Sequence, residues 1–183
     1  MKPSMKEINR IMDEADLIYP YVKIDGAMTR MASEINNKLA GSNPVVISLL
    51  KGGLVLSGQL LPRLDFPLQL DYVHATRYRD KTEGGSLHWM ARPSMPIKDR
   101  MVLLLDDIFD EGHTLTAIRD YCLATGAREV QTAVLLDKRH DRKANLTVDY
   151  IGLTVPDRYV FGFGMDYKGY LRNANGIYAV KGQ

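Results

Sequence analysis

The chain has almost no cysteine: Cys122 stands alone among 183 residues. A single thiol excludes an internal disulfide framework, and with it the small stapled domains of the secreted class. The four histidines, His74, His88, His113 and His140, show no zinc-ligand spacing, so no zinc centre is expected. Neither sign of charge dominates. Twenty-four basic residues face 22 acidic ones for a formal +2, a balance that argues against a dedicated nucleic-acid surface. No apolar run reaches the roughly 20 residues a membrane-spanning helix needs. The opening MKPSMKEINR lacks the apolar core of a signal peptide. The expected compartment is therefore the cytoplasm, with neither membrane nor nucleic acid as a partner. Internal repeats and low-complexity stretches are absent too. What remains is ordinary globular composition, 45% hydrophobic and 25% charged. That length suits a single domain over residues 1–183 with a real core.

The pattern of elements is α/β. Residues 5–19 and 26–40 read as helices: Ile8, Ile11, Met12 and Ala15 share a face of the first, and Ala27, Met31, Ile35 and Leu39 pattern the second. VVISLL at 45–50 reads as a short buried strand, and Gly53 begins a helix that Pro62 ends. Residues 68–78 and 86–93 read as strands flanking the polar, glycine-bearing 80–85. Further strands are expected over 128–137 and 148–154. Strands alternating with helices imply a mostly parallel sheet with right-handed crossovers.

The densest information lies in VLLLDDIFDEGHTL at 102–115. Val102 to Leu105 is a continuous apolar run, as in a central strand covered on both faces. Asp106 and Asp107 end it, at the edge of a parallel sheet where ligands bind. Gly112 allows a backbone conformation closed to other residues. The N–H groups from Glu111 to Thr114 then converge on an anion at the start of a helix, aided by the Thr114 hydroxyl. Leu115, Ile118 and Cys122 continue at helical spacing to a stop at Gly126, which makes Cys122 a buried core residue rather than a reactive thiol. Lys51-Gly52-Gly53, at the end of the 45–50 strand, sets a cation and two backbone N–H groups where a second anion would fit. Other segments are ambiguous on their own. DKRHDRK around Lys138 reads as a solvated charged loop, YVFGF around Tyr159 and Val160 as core strand, and Asp166 with Arg172 as a surface pair.

Residues 102–115 resemble the phosphoribosyl-pyrophosphate (PRPP) motif of the type I phosphoribosyltransferases. SLLKGG at 48–53, LLDK at 135–138 and PDRYVFGFGMDYKGYLRN at 156–173 narrow the resemblance to the hypoxanthine-guanine branch, over roughly residues 10–180. The resemblance implies a central, mostly parallel sheet flanked by helices, a small hood built from the N-terminal helices and the C-terminal segment, and a mobile lid over 76–89 carrying Arg77 and Tyr78. It implies a Mg2+-dependent enzyme of purine salvage, which moves phosphoribosyl from PRPP to hypoxanthine or guanine and releases pyrophosphate. Asp106 and Asp107 would meet the ribose hydroxyls and magnesium. Asp110, Glu111, Gly112, His113 and Thr114 would cup the 5′-phosphate. Lys51, Gly52 and Arg172 would meet pyrophosphate, with the Leu50–Lys51 peptide able to be cis. Lys138 would donate to the purine 6-oxo group, because an ammonium has three donors and no acceptor. Tyr159, Val160 and Asp166 would hold the base, Asp166 also a second magnesium, and Asp110 would serve as general base. A homodimer or homotetramer is the assembly such proteins form.

Two residues depart from the family pattern. Relatives carry Ser-Tyr at the start of the lid where this chain has Arg77-Tyr78, and Thr or Ser where it has Glu111. An inward carboxylate would repel phosphate, so the Glu111 side chain is expected to point outward. Two other functions remain open: a PRPP- or nucleotide-sensing regulator of the same fold, and a xanthine-preferring relative.

Overall fold

The computed structural model describes residues 3–77 and 87–182. Its elements run α1 (Met5–Glu14), β1 (Asp16–Pro20), α2 (Tyr21–Leu39), β2 (Val45–Leu50), α3 (Gly53–Leu60), β3 (Gln69–Arg77), β4 (Leu87–Ala91), β5 (Met101–Phe109), α4 (His113–Ala124), β6 (Glu129–Arg139), β7 (Tyr150–Pro156), β8 (Val160–Phe161) and β9 (Gly176–Ala179). Six strands form one sheet in the order β4-β3-β2-β5-β6-β7. All its pairs are parallel except β3 with β4, which closes one edge antiparallel. Chain order reverses between β2 and β5, and such a switch point opens a crevice at the C-terminal strand ends.

Both faces of the sheet are covered, which explains the uninterrupted apolar run of β5. Leu103 and Leu105 pack with α2 and α3 through Met28, Ile35, Leu56 and Leu60. Val102 and Leu104 pack with α4 through Leu115, Ile118 and Cys122. Each fully buried leucine contributes about 1.5–3 kcal/mol relative to exposure. The α4 helix ends as its sequence predicts. Gly126 has φ +97°, its N–H donates to Leu123, and Ala127 N–H donates to Cys122, closing a Schellman motif.

The N-terminal helix is shorter than the periodicity predicts. Ser4 caps α1 by accepting from Glu7 N–H at 3.2 Å, but the helix stops at Glu14. Asp16–Pro20 is a strand instead: Pro20 disfavours helical backbone at Tyr19, and β1 pairs antiparallel with β9. The next helix, α2, correspondingly starts at Tyr21 rather than at 26. A second sheet, β1-β9-β8, joins the two ends of the chain. Tyr19 Oη donates to Thr154 O at 2.7 Å, fixing this small sheet beside the C-terminal end of β7. No helix among the described residues is long and apolar enough to cross a membrane.

Candidate active site

The switch point gathers the residues that the sequence singles out. β2 ends at Leu50, the Leu50–Lys51 peptide is cis, and α3 starts at Gly53. Beside it, β5 ends in Asp106 and Asp107. The approach is close enough that a Cβ on Gly52 would lie 1.9 Å from an Asp107 carboxylate oxygen, and one on Gly53 would lie 2.6 Å from Leu105 O. Glycine at both positions is what lets the two strand ends meet.

Asp106 and Asp107 are held by the backbone. Asp107 N–H donates to Asp106 at 3.0 Å and Ile108 N–H to Asp107 at 2.9 Å. Burial, and then the neighbouring Asp107 charge, push the Asp106 carboxyl well above the usual carboxylate range. Burial also raises Asp107, against a hydrogen bond with Asp106 and the positive charge of Arg172. Two adjacent carboxylates in this condition gain from a hard divalent cation, which replaces repulsion with coordination. No cluster of three or more His, Cys, Asp or Glu forms a ready-made metal cage among the described residues. A magnesium ion here would complete its shell with water and substrate oxygens.

The loop into α4 follows directly. Gly112 has φ +77° and caps α4, and a Cβ there would strike the Phe109 ring at 2.0 Å. Thr114 lies half-buried in the first helical turn. Glu111 and His113 are exposed, with His113 Nε2 3.8 Å from the Glu111 carboxylate. The Glu111 side chain is 57% exposed.

Asp110 has two partners. Lys138 Nζ donates to one carboxylate oxygen at 2.6 Å, and His140 Nε2 lies 2.7 Å from the other. Burial alone would raise this carboxyl; hydrogen bonds and charge from Lys138 and His140 outweigh it and hold Asp110 below the usual range. The contact with His140 is one that sequence reading missed.

The opposite wall comes from residues 156–173. Arg172 donates to Gly164 O at 2.6 Å and pairs with Asp166 at 2.6 Å. The other Asp166 oxygen accepts from Gly169 N–H at 2.6 Å. Gly164 rests on the 51–53 loop: with φ +108°, a Cβ there would lie 2.4 Å from Gly52 O. Tyr159 is partly exposed and its hydroxyl donates to Asp166 O at 3.3 Å. Val160 is buried in β8, paired with Ala179. Lys168 and Tyr167 both bond to Glu7, so α1 braces this wall. Arg77 ends β3. Tyr78 and most of the expected lid lie outside the described residues.

A doubly wound sheet with paired carboxylates, a helix-start cup and a glycine loop at its switch point defines a type I phosphoribosyltransferase framework. The family model described as phosphoribosyl transferase domain matches residues 18–168. A hypoxanthine-guanine phosphoribosyltransferase of Streptococcus pneumoniae (strain ATCC BAA-255 / R6) is 30% identical over 170 residues, 92% of this chain and 94% of the relative. One from Aquifex aeolicus is 30% identical over 178 residues, 96% of each. A solved hypoxanthine-guanine-xanthine phosphoribosyltransferase superposes with TM-score 0.84 at 28% identity, over 93% of this chain and 99% of that one. The chain belongs to the phosphoribosyltransferase family, in its hypoxanthine-guanine branch, and is a transferase of purine salvage.

Proposed function

We propose that this chain transfers the phosphoribosyl group of PRPP to hypoxanthine or guanine, yielding IMP or GMP and pyrophosphate. The observation that carries the proposal is the convergence of the Asp106–Asp107 pair, the Lys51–Gly52 loop and the Asp110–Lys138 pair on one crevice. The α4 start receives the 5′-phosphate on free backbone N–H groups. The ribose hydroxyls face Asp106 and Asp107, whose negative charge favours the oxocarbenium-like C1 of the transition state. Lys51, Gly52 and Arg172 hold the pyrophosphate, Arg172 through its fixed fork of donors. Arg77 and Tyr78 belong to the lid that excludes water.

Tyr159 and Val160 seat the base, with Lys138 donating to its 6-oxo group. Asp110 takes the proton from the ring nitrogen that attacks C1. Asp106 and Asp107 would hold magnesium, which would supply positive charge against the leaving pyrophosphate. Asp166 is the candidate for a second ion, reached by exchanging its Arg172 partner. The chain acts as one domain over 1–183, with the small sheet as its hood. Leu54 on α3 and Leu70 and Tyr72 on β3 are exposed and supply apolar surface for a homodimer or homotetramer. The cytoplasm is the compartment that fits these substrates.

The test is a spectrophotometric transfer assay with PRPP and magnesium against hypoxanthine, guanine, xanthine and adenine, beside Asp110→Asn. Transfer to hypoxanthine or guanine, with a mutant loss of about 10²–10⁴ in kcat, is the expected result. A best rate with xanthine favours the second reading, a xanthine-preferring relative. PRPP binding with no transfer to any base points to a regulator instead.

A further inference from the structure

We propose that His140 is a positioning residue for the transfer reaction: it holds one oxygen of Asp110 so that the other is free to take the purine proton once Lys138 turns to the base. This rests on the reading of Asp110 as the general base.

The two carboxylate oxygens are divided between two donors. His140 Nε2 meets Oδ1 at 2.7 Å and Lys138 Nζ meets Oδ2 at 2.6 Å. His140 is itself fixed. Its side chain is only 4% exposed, and its Nδ1 accepts from Arg142 N–H at 3.1 Å. A neutral ring that accepts at Nδ1 carries its proton at Nε2, so it is the donor that Asp110 requires. The other charges around the pair are Lys138 on β6, Glu111 beside Asp110, and Arg142 and Asp157 beyond the ends of β6 and β7. Arg142 and Asp157 are joined to each other at 2.9 and 3.0 Å. The tether on His140 is therefore a backbone group.

Lys138 and His140 consequently differ in role. Lys138 is on a flexible stem and its ammonium can move to the purine oxygen, whereas His140 stays in place. When Lys138 leaves, Oδ2 loses a donor and becomes the more basic oxygen, while Oδ1 still fixes the carboxylate plane. In the transfer step the purine ring N–H proton passes to Oδ2. The nitrogen pair forms the bond to C1, and the C1–oxygen bond to pyrophosphate breaks with its electron pair leaving on pyrophosphate.

The experiment compares His140→Ala and His140→Gln with the wild type. Glutamine restores an N–H donor near the Nε2 position. His140→Ala is expected to lower kcat roughly tenfold with KM for PRPP unchanged, and Gln to recover most of the loss. Because the hydrogen bond from His140 lowers the Asp110 titration, the acid limb of kcat/KM for the base moves to higher pH in His140→Ala. Equal loss in both variants, or an acid limb that does not move, overturns the proposal. A long-range 1H–15N spectrum of the whole protein is the readout independent of turnover, with His140 expected as the Nε2–H tautomer. Finding the Nδ1–H form overturns the proposal even in a protein that transfers nothing. If Asp110→Asn retains full rate, it is the general-base reading that fails.

Discussion

The Lys138 ammonium lies 2.6 Å from the Asp110 carboxylate, so the residue assigned to read the base and the residue assigned to take its proton are directly joined. Each therefore alters the other. On the proposed reading, a purine oxygen that draws Lys138 away would also release the carboxylate that acts next.

Lys138→Met separates these effects. The KM for hypoxanthine is expected to rise about 10- to 100-fold, as for loss of a hydrogen bond from a charged group. Without the Lys138 hydrogen bond and charge the Asp110 titration rises, so the acid limb of the kcat/KM profile moves to higher pH. Steady-state kinetics across pH checks both. An unchanged KM removes Lys138 from base recognition.

Gly52→Ala tests the meeting of the two strand ends. Gly52 has φ −61° and ψ −48°, which alanine adopts freely, so the backbone tolerates the change. The added Cβ nevertheless occupies the position of the Asp107 carboxylate. The expected outcome is a fall of about 10² in kcat/KM for PRPP, as for an ångström-scale displacement of a reacting group. Thermal melts should stay near wild type; a large drop in Tm would trace the loss to folding instead.

Asp106→Asn is expected to stabilise the protein while impairing it. Burial, then the charge on Asp107, raises the Asp106 titration in the folded chain. As pH rises, the unfolded chain loses this proton first, so stability falls from the ordinary carboxylate range up through the raised folded value. It stays lowered above that. Asparagine carries no such charge, so its Tm advantage in EDTA should grow as pH rises above the ordinary carboxylate range and shrink towards about pH 4. A lower Tm for the variant at every pH would contradict this.

Cys122 should be inert in the native protein. It is fully buried against the sheet, and burial pushes its thiol up to about 11. A disulfide reagent at neutral pH is expected to label it only after denaturant unfolds the chain. Stoichiometric labelling of the folded protein would place it nearer the surface.

The central sheet and the carboxylate rim were legible because local signals coincide there. Val102–Leu105 is apolar without a break, Asp106 and Asp107 mark its end, and Gly112 marks the helix start; each has a cause within a few residues. The small sheet was not legible. β1 continues the helical periodicity of Ile8, Ile11, Met12 and Ala15 closely enough to read as helix, and the two residues of β8 and four of β9 become strands only through pairing with distant partners. The same limit applies to the site. Lys138, Tyr159, Asp166 and Arg172 were reached by family resemblance rather than by local pattern. His140 escaped notice because its partner, Asp110, lies on the neighbouring strand's loop, and register is not written in either segment alone.

The pairing of β1 with β9 sets an order of assembly. The partners Asp16 and Ala179 lie far apart in sequence, so during synthesis the first strand has no mate until Gly176–Ala179 has left the ribosome. The large sheet has all its strands by Pro156, and its carboxylate rim can be in place while the hood is still unmade. A nascent chain halted before Gly176 would carry a finished crevice without the sheet that anchors Tyr159 and Val160 beside it. A chain truncated before Gly176 is expected to fold around its large sheet and still turn over nothing.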